Sequence, residues 1–168
     1  MKTRTLISVE EYLTTSYSPD CDYVDGEVQE RNLGEYDHSN LQTAIAAYFF
    51  MRRKEWGISV VVEQRVQVKA RRFRVPDVCV VLGDPGEQIF TKPPFLCIEV
   101  LSPEDRMSRV EQRIDDYLAM GVPHVWLLDP STRQAYAATA TTGLREVKDG
   151  VLRTENPAFE MPLAEVFE

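Results

Sequence analysis

Apolar residues in this chain follow two spacings, and each predicts a different element. Leu41, Ala44, Ile45, Tyr48 and Phe49 recur at steps of three and four, which gives a helix over 37–54 one apolar face. Asp37 is placed to cap it, and Gly57 to close it after Trp56. A shorter helix is expected over 7–16, where Ser8 and Glu11 have capping-box spacing and Ser18-Pro19-Asp20 ends it. Ser108 and Glu111 repeat that spacing and start a third helix. Val110, Ile114, Tyr117 and Leu118 form its apolar face, and Gly121 followed by Pro123 stops it.

The second pattern is the short unbroken run of Val, Ile, Leu and Phe bounded by Gly, Pro or Asp, a strand signal. Asp25-Gly26 predicts a hairpin turn between Tyr23-Val24 and Val28. Strands are expected over 58–62, 65–68 and 122–129, with a basic turn over 69–74. A peripheral hairpin follows over 134–139 and 143–147, and Asp149-Gly150 is a further turn. Phe159, Leu163 and Phe167 are expected to seal one edge. The order helix, hairpin, helix, strands, helix, strands predicts the α/β (α+β mixed) class, a mixed sheet flanked by helices with peripheral hairpins. With no repeat, low-complexity segment or linker, residues 1–168 read as one domain.

Two of the apolar runs, in RVPDVCVV and FLCIEVLSPEDR, each carry one carboxylate, Asp77 and Glu99. Buried carboxylates are costly unless paired, hydrogen-bonded or metal-bound. If the runs pair antiparallel across the loop 83–94, opposed residues keep a constant index sum. Val78 then faces Ile98, Val80 faces Leu96, and Asp77 comes opposite Glu99 at one end of an apolar ribbon. Otherwise, each acid caps a loop or pairs with a nearby arginine such as Arg74, Arg106 or Arg109.

Composition narrows the classes. The hydrophobic fraction of 43% fits a globular chain. No apolar run approaches the ~20 residues of a membrane span, and MKTRTLISVEEYL lacks a signal-peptide core, so no membrane association and a cytoplasmic location are expected. Cys21, Cys79 and Cys97 are odd in number and mostly within apolar runs, which suggests reduced buried thiols. There is no CxxC and only 2 histidines, so a structural zinc site is not expected. A net charge of −8 excludes nucleic-acid binding through the overall field, and a polyanion would have to be held by a local basic patch or by metal. Candidate patches are Arg52-Arg53-Lys54 and the group Arg65, Lys69, Arg71, Arg72 and Arg74.

Several chemistries lack their residues. There is no GxSxG, no phosphate-cradling glycine loop, and the strand cysteines lie where thiolates are disfavoured. A glycosidase would need two carboxylates about 5–10 Å apart in a sugar groove, and the aromatic platform is not evident. Hard oxygen ligands from two adjacent strand ends suit Mg²⁺, which retains several waters. Such an ion can activate water and stabilise a pentavalent phosphate, with a nearby Arg steadying the charge. His38, in the first turn of the long helix, could meet an anion there. Arg109 and Arg113, four apart, lie along one side of the third helix.

The layout DYVDGEV, the His38 helix, Pro76-Asp77, Glu99-Val100-Leu101-Ser102 and a helix ending DDYLAMGVPHVWLLDP resembles the Uma2 family of the PD-(D/E)xK nuclease superfamily. The likeness covers roughly residues 5 to 165. It implies a restriction-endonuclease-like fold and a Mg²⁺- or Mn²⁺-dependent endonuclease that hydrolyses DNA by metal-activated water. It assigns Asp77 and Glu99 as metal-binding acids, with the Val100 carbonyl as a third ligand. Leu101 stands where the superfamily has its catalytic Lys, and the cation four residues before the helical Tyr117 is here Arg113. Glu27 and His38 are further candidates beside the acids, and Arg71, Arg72, Arg74 and Arg109 are candidate DNA contacts. A homodimer is implied by analogy. The missing strand Lys and the charge of −8 leave one alternative open, a catalytically degenerate nuclease fold serving in binding or dimerisation.

Overall fold

The computed structural model describes residues 5–32 and 34–167. The first four residues of the stretch MKTRTLISVEEYL lie outside them. Helix α1 (Val9–Thr14) starts where expected, with Ser8 Oγ accepting the Glu11 N–H at 3.1 Å. Strands β1 (Asp22–Val24) and β2 (Glu27–Gln29) form the hairpin, with Asp25 at φ 50° and Gly26 at φ 100°, the left-handed pair that a two-residue hairpin turn requires. Helix α2 (Tyr36–Trp56) begins at Glu35 without a side-chain cap, so Asp37 sits inside the first turn instead of capping it. There its charge still favours the helix dipole. Gly57, at φ 63°, closes the helix.

Between α2 and Asp77 the two expected strands form and a third follows, with the turn confined to Ala70-Arg71. Strand β3 (Ile58–Val62) is followed by β4 (Val66–Lys69) and β5 (Arg72–Arg74), so most of the expected basic turn is strand. Strands β6 (Val78–Leu82) and β7 (Leu96–Val100) pair antiparallel with Val78 opposite Ile98, Cys79 opposite Cys97 and Val80 opposite Leu96. Helix α3 (Met107–Met120) starts from Arg106, whose carbonyl takes the Arg109 and Val110 N–H groups. Ser108 is therefore inside the first turn and is not the cap. Then come β8 (His124–Asp129), β9 (Gln134–Thr139), β10 (Gly143–Glu146), β11 (Val151–Arg153) and β12 (Glu160–Pro162).

The main sheet has six strands in the order β10-β9-β8-β7-β6-β3, with β7 and β8 parallel and the other pairs antiparallel. A second sheet has the order β2-β1-β5-β4, and β11 pairs with β12. Strand side chains alternate between faces, so the ribbon divides two cores. Val78, Val80, Leu96 and Ile98 pack with Leu41, Ile45 and Phe49 of α2. Cys79 and Cys97 pack with Val110, Ile114 and Tyr117 of α3. The expected mixed sheet flanked by helices is thus what forms, and Phe159, Leu163 and Phe167 join the α2 side. All three cysteines are buried free thiols. No described helix is long and apolar enough to cross a membrane.

Candidate functional site

The β6–β7 register extended by one residue brings Asp77 to Glu99, at the end of the ribbon near α2 and α3. Both are buried, Asp77 at 2% and Glu99 at 3% exposure. Asp77 Oδ1 accepts Arg31 Nη2 at 2.6 Å, and Oδ2 accepts the Val100 N–H at 2.7 Å. His38 Nε2, from the first turn of α2, lies 3.4 Å from Oδ2. Burial raises the Asp77 carboxyl, but His38, Arg31 and the Val100 N–H outweigh it and hold it below the usual carboxylate range. His38 is held upward by its contact with Asp77.

Glu99 has a different environment. Tyr117 donates its hydroxyl to Oε1 at 2.6 Å. Arg113 Nε is 4.0 Å from the same oxygen, too far for a hydrogen bond, and is buried without a partner. Burial pushes the Glu99 carboxyl up to about 7, with Asp77 adding to the rise and Arg113 opposing it. Arg113 is kept charged by Glu99, Asp22 and Asp105 in spite of its burial. Its Nη2 lies 3.4 Å from Asp105 Oδ1, which also takes Asn32 Nδ2 at 3.0 Å. These groups line a recess of about 160 Å³ that includes Arg31, His38, Asp77, Glu99, Val100 and Arg113.

The structure thus brings Asp77, Glu99, Val100, His38 and Arg113 together. Glu27, on β2, does not line the recess, and neither do Arg71, Arg72, Arg74 and Arg109. Arg72 reaches Asp116 at 2.9 Å and Asp25 at 2.6 Å. Arg74, 2% exposed, donates Nε to Asp116 at 2.8 Å and Nη1 to Asp22 at 3.1 Å. Its Nη2 is 2.7 Å from Asp116 Oδ2 but out of line for a hydrogen bond. The acids do not take the arginines nearest in sequence. Asp77 meets Arg31, from the segment after β2, a partner no local pattern indicates. Tyr117 follows Arg113 by one helical turn, and that spacing alone places both side chains on one face.

Among the described residues no three or more His, Cys, Asp or Glu side chains are grouped to hold a metal ion. Two buried carboxylates beside Val100 are hard oxygen donors of the kind a divalent cation takes, and Arg31, His38 and Arg113 line the same recess. The rise of Glu99 to about 7 comes first from burial and then from Asp77.

A model of the Uma2 family, described as "Putative restriction endonuclease", matches residues 9–165. A crystal structure of "a putative nuclease belonging to DUF820" from Anabaena variabilis superposes with a TM-score of 0.83 at 20% identity. That match covers 96% of this chain and 97% of the other. No curated protein matches the chain.

Proposed function

The chain belongs to the Uma2 family, and on that footing we propose that it is a divalent-cation-dependent endonuclease acting on DNA, built as one nuclease domain. The observation that carries this reading is the β6–β7 register. It sets Asp77 and Glu99 side by side in a recess that also holds Arg113. Asp77, Glu99 and the Val100 carbonyl would hold the ion, Mg²⁺ or Mn²⁺. Bound there, such an ion supplies charge neutralisation and a more acidic water. Binding competes with Arg31, which occupies Asp77 Oδ1.

The chain's own groups divide the remaining work. Arg113 has an unpaired buried Nε–H to offer a phosphate oxygen. It would stabilise negative charge on the phosphoryl oxygens but cannot accept a proton. Tyr117 fixes the Glu99 carboxylate through Oε1. In the net reaction a P–O ester bond breaks, and water adds hydroxyl to phosphorus and a proton to the leaving oxygen.

The test is nicking of supercoiled plasmid in Mg²⁺ or Mn²⁺ by the wild type, Asp77→Asn and Asp77→Ala, with melting curves to confirm folding. Activity is expected only in the wild type, and equal nicking by all three overturns the proposal. A second reading, a degenerate fold used for binding, is favoured by the 2.6 Å Arg31–Asp77 pair and by Leu101 at the usual Lys position. Calorimetric titration separates the two, since carboxylate-dependent cation binding counts against degeneracy.

A further inference from the structure

Helix α2 is apolar on two sides. Leu41, Ile45 and Phe49 are buried in the core. On another side Ala46, Ala47 and Phe50 join Val60 and Val62 of β3 in lining a groove of about 760 Å³. Strand β3 is an edge of the main sheet, and Phe50 and Val62 are 49% and 50% exposed. This groove is continuous with the recess, because Ser39 and Gln42 line both. Gln42 Nε2 also donates to the Asp77 main-chain oxygen at 3.1 Å, tying groove to site. At 1.5 Å rise per residue, Phe50 lies about 16 Å along the helix from Ser39. Its ring carries the Arg53 guanidinium 3.7 Å from its centroid, a flat cationic platform at the far end.

The rest of the surface is poorly suited to a duplex. Duplex binding depends on free Lys and Arg neutralising many phosphates. This chain has a net charge of −8. Arg72 and Arg74, two of the candidate contacts, are engaged by Asp25, Asp116 and Asp22. An unpaired strand also exposes its bases, which an intact duplex does not, and these stack on aromatic and apolar surface while cations beside it meet the backbone; Phe50 with Arg53 over its ring offers both.

We propose that the α2–β3 groove holds the unstacked bases of a nucleic-acid strand whose phosphodiester enters the Asp77/Glu99 recess. Single strands, frayed ends and the unpaired segments that supercoiling opens in a plasmid, not relaxed duplex, are then the substrate class. The proposal rests on the phosphodiester reading of that recess. It is tested by binding in EDTA, where cleavage does not intervene. Fluorescence anisotropy compares a labelled single strand of about 15 nucleotides with a hairpin duplex of the same sequence. The single strand is expected to bind at least ~10-fold tighter, and Phe50→Ala to weaken it by roughly tenfold while Phe50→Trp restores it. Val62→Asp, which places a negative charge on the opposite wall, is expected to cause a similar loss. Duplex binding equal to or tighter than single-strand binding overturns the proposal, as does indifference to both Phe50→Ala and Val62→Asp. So does sedimentation showing that a second copy fills the groove, with a dimer that Phe50→Ala dissociates and no strand bound. Phe50-dependent strand binding without cleavage in Mg²⁺ or Mn²⁺ removes the nuclease reading and leaves this one. Plasmid nicking unaffected by Phe50→Ala, with no strand preference, does the reverse.

Discussion

Glu99 sits between Asp77 and Tyr117 with its carboxyl pushed up to about 7, first by burial and then by Asp77. The ordinary value is 4.5, so in this range the folded chain binds more protons than the unfolded one. Stability from the neutral carboxyl is therefore fully present below about pH 4.5 and is lost as pH rises through about 7. The loss is on the order of 3 kcal/mol. His38, also held upward, adds a loss of the same sign. Urea midpoints in EDTA should fall between pH 5 and pH 8 for the wild type, and Glu99→Gln should remove most of the fall. A wild type equally stable at both values would refute this. Tyr117→Phe removes the hydroxyl that fixes Oε1. It should lower plasmid nicking while changing the melting temperature by only a few degrees, because the ring stays packed beside Val110 and Ile114.

Elements are tied together by buried ions as well as by apolar faces. Asp116 of α3 takes Arg72 and Arg74 of β5, and Arg74 also takes Asp22 of β1. This clamp fixes the helix that carries Arg113 and Tyr117 against the second sheet. Arg74→Met leaves Asp22 short of its partner in a dry setting and should cost about 3–5 kcal/mol by urea unfolding. Asp25→Asn, at the exposed end of the same network, should leave the midpoint nearly unchanged. Gly57 ends α2 at φ 63°, and a Cβ placed there would meet nothing within 4 Å. Gly57→Ala therefore adds backbone strain alone, about 1 kcal/mol in the same assay.

The whole molecule places a buried pair of acids, with Arg31, His38 and Arg113 around them, inside a chain of net charge −8. A divalent ion that binds only the folded state should raise stability by mass action, by about 2.7 kcal/mol at a hundredfold excess over Kd. Mn²⁺ should thus raise the melting temperature of the wild type, and Asp77→Asn and Glu99→Gln should abolish the increment. An increment retained in both variants would place the ion elsewhere. The strand site proposed along α2 and β3 would let this acidic molecule meet nucleic-acid bases through apolar surface beside the same recess.

Local spacing carried the elements. The three- and four-residue steps of Leu41, Ile45 and Phe49, the Asp25-Gly26 turn and the β-branched runs determined most of the helices and strands by themselves. The pairing of Val78 with Ile98 was legible only as the register that brings Asp77 opposite Glu99, because the connection over 83–95 is too long to set it by itself. The caps were less legible, since Asp37 and Ser108 compete with main-chain hydrogen bonds that start each helix a residue or more earlier. Partners distant in sequence were not legible at all. Arg31 reaches Asp77 across 46 residues, and Arg74 reaches Asp22 across 52. Which acid meets which cation depends on how sheets and helices pack, not on neighbours along the chain. The sequence could name two costly carboxylates, and only the tertiary structure decided that one is held ionised by Arg31 and His38 while the other is held near neutrality beside Tyr117.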